Sequence, residues 1–113
     1  MDAVIMITIA LAFNLLDILS GIISALKSGE GLKSSKLRDG IFKKAGFILL
    51  YLLAWGLDFS RTYIDIPINI DILPVIIVYV VLTEIVSVIE NIAEINPDIL
   101  PEKIKKIIGI TEE

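Results

Sequence analysis

The chain has 113 residues, 56% of them hydrophobic and 21% charged, with a net charge of −4 and a mean hydropathy of +0.85. A water-soluble domain of this size has too little interior to hide so many Ile, Leu and Val side chains, so the expected solvent is a bilayer. The hydrophobicity excludes a disordered chain, the lack of Cys and His excludes a disulfide scaffold and thiol or imidazole catalysis, and the acidic balance argues against nucleic-acid binding.

The first apolar stretch, 3–26, is interrupted only by Asp17. It is long enough for a bilayer core, which takes roughly 20 helical residues to cross. No basic segment precedes it and no small-residue cleavage pattern follows it, so it reads as a span rather than a signal peptide. Asn14, Asp17, Gly21 and Ser24 recur at i, i+3, i+7 and i+10, with Ser20 beside them, and form one polar, small-residue stripe.

Residues 27–44 read as a basic loop carrying Lys27, Lys33, Lys36, Arg38, Lys43 and Lys44, loosened by Gly29, Gly31, Ser34 and Ser35. No strand precedes its glycines, so they make no phosphate cradle. The second apolar stretch, 45–57, is too short alone and spans only if extended across Asp58 to about residue 64. Tyr51, Trp55 and Tyr63 suit membrane interfaces, and Asp58 and Arg61, at i and i+3, suit a pair near one of them. The loop 65–71 alternates isoleucines with Asp65, Pro67, Asn69 and Asp71. Two readings stand: an extended segment with an apolar edge, or an isoleucine-rich loop whose proline interrupts any ladder.

The third span is expected at about 72–93. Its β-branched run, 75–82, would favour a strand in water, but in lipid only a helix satisfies its own backbone. Glu84, Ser87 and Asn91 fall at i, i+3 and i+7, with Glu90 and Glu94 neighbouring them. The tail, 97–113, reads as a short amphipathic helix on the membrane surface. Leu100, Ile104, Ile107 and Ile108 form one face and Lys103, Lys105 and Lys106 the other, with Pro101 in the first turn.

Six basic residues lie between the first two spans and only Arg61 between the second and third. The positive-inside rule then places the N-terminus outside and the C-terminus inside. It puts Lys33, Lys36, Arg38, Lys43, Lys44, Lys103, Lys105 and Lys106 on the cytoplasmic membrane surface. Within the spans, Asp17, Asp58, Glu84 and Glu90 face a single base, Arg61, so one chain is expected to leave carboxylates unmatched. An ionised side chain at mid-membrane costs about 2.5–3.5 kcal/mol on insertion scales, so these groups should face protein or water. Asn14, Asp17, Ser20, Gly21, Ser24, Asp58, Glu84, Ser87, Glu90 and Asn91 are therefore the candidate lining of an oligomer interface or aqueous lesion. Interhelical glue without a lumen is the plainer alternative, and a small cation or proton channel is another.

Asp17, Ser20-Gly21-Ile22, Ala25 and Lys27, then Ser34 or Ser35, Gly40 and Lys43-Lys44, Asp58, the run from Glu84 to Asn91, and Pro101 together resemble the toxin secretion/phage lysis holin family of Gram-positive phages and clostridial toxin loci. The similarity covers about residues 13–105, and E-I-x-S-x-x-E-N, following D-x-x-S-G and G-x-x-K-K, is its most specific part. The resemblance implies a phage-encoded protein of the host cytoplasmic membrane that oligomerises and opens lesions. Through these an endolysin reaches the wall, or a large toxin leaves, without necessary direct contact. It also implies no catalysis by the chain itself. Met1 and Met6 allow paired start codons, a device of some such proteins. The expected product is an all-α membrane protein forming a single membrane domain over 1–113, with three transmembrane helices and a short C-terminal amphipathic helix. It assembles into homo-oligomers, with itself and the bilayer as direct partners and with no cofactor, metal or nucleic acid.

Overall fold

The computed structural model describes residues 2–29, 35–107 and 109. Three long helices, α1 (Ala3–Ser28), α2 (Ser35–Ser60) and α3 (Ile72–Ile95), are followed by a single 3-10 turn, Pro97–Ile99, and a short α4 (Glu102–Ile107). All three long helices are long and apolar enough to cross a membrane. At 1.5 Å per residue the 26 residues of α1 extend about 39 Å, more than the roughly 30 Å of a hydrocarbon core.

The helix ends follow local chemistry. Asp2 caps α1, its carboxylate accepting from the Val4 N–H at 3.2 Å. Gly29 ends α1 at φ 83°, a left-handed conformation that glycine adopts without steric cost, and its N–H returns to the Leu26 carbonyl. Pro74 lies in the first turn of α3, where its missing N–H breaks no helical bond. Asn96 closes α3 through its backbone N–H, while its side chain accepts from the Asp98 N–H and starts the turn at Pro97.

Contacts between side chains set the topology. Asn14 meets Glu84 and Ser24 meets Glu94, so α1 and α3 run parallel although they are far apart in sequence. Lys44 meets Asp17 and Lys36 meets Glu94, so α2 runs antiparallel to both. The bundle is thus up-down-up. One end, here termed the basic end, gathers the C-termini of α1 and α3 and the N-terminus of α2.

Each helix buries one stripe at spacings of three and four: Leu73, Ile77, Val80 and Glu84 on α3, and Lys44, Phe47, Tyr51 and Ala54 on α2. Away from the basic end the core is dry, built of Ala10, Phe47, Tyr51, Ala54, Leu73, Ile77 and Val80. The outward faces carry exposed Leu15, Leu19, Leu49, Leu52, Val75 and Leu82, the surface a hydrocarbon solvent accepts.

Two expectations about elements change, for the second helix and the tail, and the region 65–71 takes the loop form of its two readings. The second helix begins at Ser35, within the stretch read as a loop, and ends at Ser60 rather than about 64. Its first ten residues include four of the basic side chains, and α1 and α3 supply the carboxylates that pair with two of them, Lys36 and Lys44. Residues 61–71 form turns and no strand, closed by the Arg61 guanidinium donating to the Ile70 carbonyl at 2.9 Å. The tail helix α4 has six residues. Its Lys105, expected on the exposed face, is buried, with its ammonium 3.7 Å from Glu102. Lys103 and Lys106 are exposed; Ile108 lies outside the described residues.

Candidate functional site

Glu84 sits midway along α3 and is fully buried, at 0% exposure. An isolated carboxylate there would be very costly to ionise, so its neighbours matter. The Asn14 amide donates to Glu84 Oε2 at 2.8 Å, and the Tyr51 hydroxyl donates to Asn14 Oδ1 at 2.7 Å. Lys44, itself 6% exposed, places its ammonium 3.1 Å from the same carboxylate and 2.5 Å from Asp17 Oδ2. The Asn91 amide donates to Asp17 Oδ1 at 3.0 Å and to the Ser20 hydroxyl at 2.9 Å, while Ser20 donates to the Asp17 carbonyl at 3.1 Å.

Side chains from all three helices therefore form one network around a lysine. The placement follows from the helical spacing. Asn14, Asp17 and Ser20 face inward from α1, Glu84 and Asn91 from α3, and Lys44 and Tyr51, two turns apart, from α2. With every group ionised, Asp17, Lys44 and Glu84 sum to one negative charge.

Lys44 corrects two expectations. It is not a membrane-surface cation, and the acids of the spans do not face Arg61 alone. Two of them share Lys44 within a single chain. The physical reason is that α2 extends ten residues further back than its apolar run, which carries Lys44 to the depth of Asp17 and Glu84. Tyr51 likewise lies in the core rather than at an interface, because its hydroxyl finds Asn14 there.

Nearer the basic end, Glu94 receives the Lys36 ammonium at 2.9 Å and the Ser24 hydroxyl, and Lys27 donates to the Glu94 and Ile95 carbonyls at the end of α3. Gly21 packs beside Asn91; a methyl added there would meet its amide at 3.6 Å, an ordinary contact. Ser87 is half-buried and Glu90 exposed, with no ion-pair or hydrogen-bond partner among the described residues. Asp58 and Arg61 form a separate pair at the far end, 3.8 Å apart, where Asp58 Oδ1 and Arg61 Nε lack hydrogen bonds. Arg38 and Lys43 are exposed, the latter 5.7 Å over the Phe47 ring, and Lys33 lies outside the described residues. Structure thus unites Asn14, Asp17, Ser20, Glu84 and Asn91, and leaves Asp58 and Glu90 apart.

The sequence pattern did not point to Lys44 and Tyr51 as members of this network, nor to Glu94 as the partner of Ser24 and Lys36. One signal was available: Lys44, Phe47, Tyr51 and Ala54 stand at i, i+3, i+7 and i+10, the same period as the acid-bearing stripes. Among the described residues no three acidic side chains converge as a metal site. The chemistry on offer is charge matching, amide and hydroxyl hydrogen bonding, and exchange of these partners for water.

The model of the bacteriophage holin family matches the sequence over residues 2–113. The chain belongs to that family. No curated protein and no solved structure matches it. As a holin it is a multi-pass protein of the cytoplasmic membrane whose role is to open membrane lesions that lead to lysis of the host. The holin family is in general non-enzymatic.

Proposed function

We propose that this holin accumulates in the host cytoplasmic membrane with its N-terminus outside and C-terminus inside, self-assembles, and opens lesions wide enough to release an endolysin or a toxin. The observation that carries this reading is the buried Asp17–Lys44–Glu84 network inside an otherwise lipid-compatible bundle. A single chain pairs Asp17 and Glu84 with Lys44 internally and presents mainly apolar side chains outward, so it inserts and accumulates without opening a path. The dry core of Ala10, Ala54, Leu73, Ile77 and Val80 blocks the bundle beyond the network, so one chain holds no continuous polar track. In an assembly, the same amides, carboxylates and lysine exchange intrachain partners for water or neighbouring chains, and the inner stripes become a lumen. The net negative charge of the network favours the hydrated state, in which water solvates it.

Co-expression in bacteria with a peptidoglycan-degrading enzyme that lacks any export signal tests this. The expected result is abrupt lysis that needs both proteins, with the enzyme recovered outside the membrane. Loss of membrane potential with the enzyme retained inside would instead indicate a selective cation or proton channel. Glu84→Gln leaves Lys44 matched one to one with Asp17, and should delay lysis at equal protein levels. Unchanged timing would remove the Glu84 charge from the mechanism.

A further inference from the structure

At the basic end the three long helices enclose a cavity of about 490 Å³. Its charged lining is Lys27, Lys36, Lys43, Lys44, Asp17 and Glu94. Both carboxylates are already matched. Asp17 has Lys44 at 2.5 Å and Asn91 at 3.0 Å, and Glu94 has Lys36 at 2.9 Å and the Ser24 hydroxyl. Lys27 and Lys43 are not. Lys27 donates to the Glu94 and Ile95 carbonyls and Lys43 lies over Phe47; neither has a carboxylate in ion-pair reach among the described residues. Among the described residues, two lysines without a carboxylate partner thus remain on the cavity wall, against the single surplus negative charge of the Asp17–Lys44–Glu84 group.

The wall also has an apolar side. Ile18 and Ile41 line it, and Ile41 is more than half exposed on the outer surface of α2, so the cavity adjoins the face that meets lipid tails. A cationic recess opening beside an acyl-chain surface, where helices leave the hydrocarbon core, has the two-part chemistry of an amphiphile with an anionic head. A free anion would use the lysines but not Ile18 and Ile41.

We propose that this cavity binds the phosphate-bearing headgroup of an anionic phospholipid, with Lys27 and Lys43 supplying the unmatched charge and Ile18 and Ile41 the contact with its chain. Such a lipid would bridge the ends of α1 and α2, tying the closed bundle to the composition of the surrounding leaflet.

The test uses the full chain purified in a non-ionic detergent and titrated separately with phosphatidylglycerol, phosphatidylcholine and inorganic phosphate. Bound lipid is counted by native mass spectrometry and the thermal midpoint is followed. Phosphatidylglycerol should be retained and raise the midpoint, with phosphatidylcholine and inorganic phosphate doing neither. Lys27→Gln with Lys43→Gln should weaken phosphatidylglycerol binding about twenty-five-fold, the product of roughly five-fold per lysine near an anionic headgroup. Lys43→Gln alone, at an exposed site outside the buried network, should weaken it about five-fold, and Lys103→Gln with Lys106→Gln should leave it unchanged. Equal binding of phosphatidylcholine, or wild-type affinity in the double variant, would overturn the proposal. An equal rise with inorganic phosphate would also overturn it, by assigning the cavity to a free anion.

Discussion

Lys44 holds two carboxylates from two other helices, which makes it the residue whose loss costs most. Removing one partner of a buried ion pair leaves the others uncompensated, at about 3–5 kcal/mol. Lys44→Met should therefore destabilise the chain by about that much in denaturant titrations in micelles, and should lower its accumulation in membranes. Adding Asp17→Asn and Glu84→Gln to Lys44→Met removes the stranded charges and should restore most of the loss. If the triple variant is as unstable as the single one, Lys44 acts through packing rather than charge. Tyr51→Phe deletes the donor to Asn14 and leaves a buried amide oxygen unsatisfied, a loss of about 1–3 kcal/mol measured the same way. The acid and amide stripes of α1 and α3 were legible as periodic residues within apolar runs. Their cation was not, because Lys44 stands outside the apolar run of its own helix and next to Lys43, where lysines ordinarily meet water.

At the scale of the element, α2 is the informative one. Its apolar run is short, its first turns are basic and contain Gly40, and by composition those turns read as a loop. They fold as helix because the inward positions Lys44, Phe47, Tyr51 and Ala54 continue one stripe against α1 and α3. Propensity is a weak prior, and packing of this stripe overrides it. Ala54 is fully buried, and enlarging it forces the helices apart. Ala54→Leu should cost about 1–3 kcal/mol by overpacking. Leu52→Ala, on the exposed face of the same helix, should stay within about 0.5 kcal/mol. Equal effects at the two positions would mean that α2 presents a different face inward. The loop 61–71 shows the converse: a period-2 pattern forms no strand here, since no neighbouring edge pairs with it and Pro67 lacks a donor.

Over the whole molecule, the division into a dry half and a charged half decides what one chain does and what an assembly must do. The basic residues give the bundle its proposed direction, and the absence of cysteine makes single-site probes clean. In intact cells Asn69→Cys should react with an impermeant maleimide added outside, and Ser35→Cys should react only after the membrane is permeabilised. The reverse pattern would invert the orientation while leaving the fold as described.

From the sequence alone came the membrane as solvent, three helices, the polar faces of α1 and α3, and the resemblance to holins. These are local or additive properties: hydropathy sums along a segment, and a 3.6-residue period assigns faces without knowledge of neighbours. Only the tertiary structure decided which helices run parallel, that Lys44 belongs to the interior, and that Asp17 and Glu84 share it. Those outcomes depend on contacts between residues 27 to 74 positions apart, and a buried charge is tolerated only where partners from other elements converge on it. The surplus of acid that the composition pointed to is therefore smaller inside one bundle than a count along the chain implies.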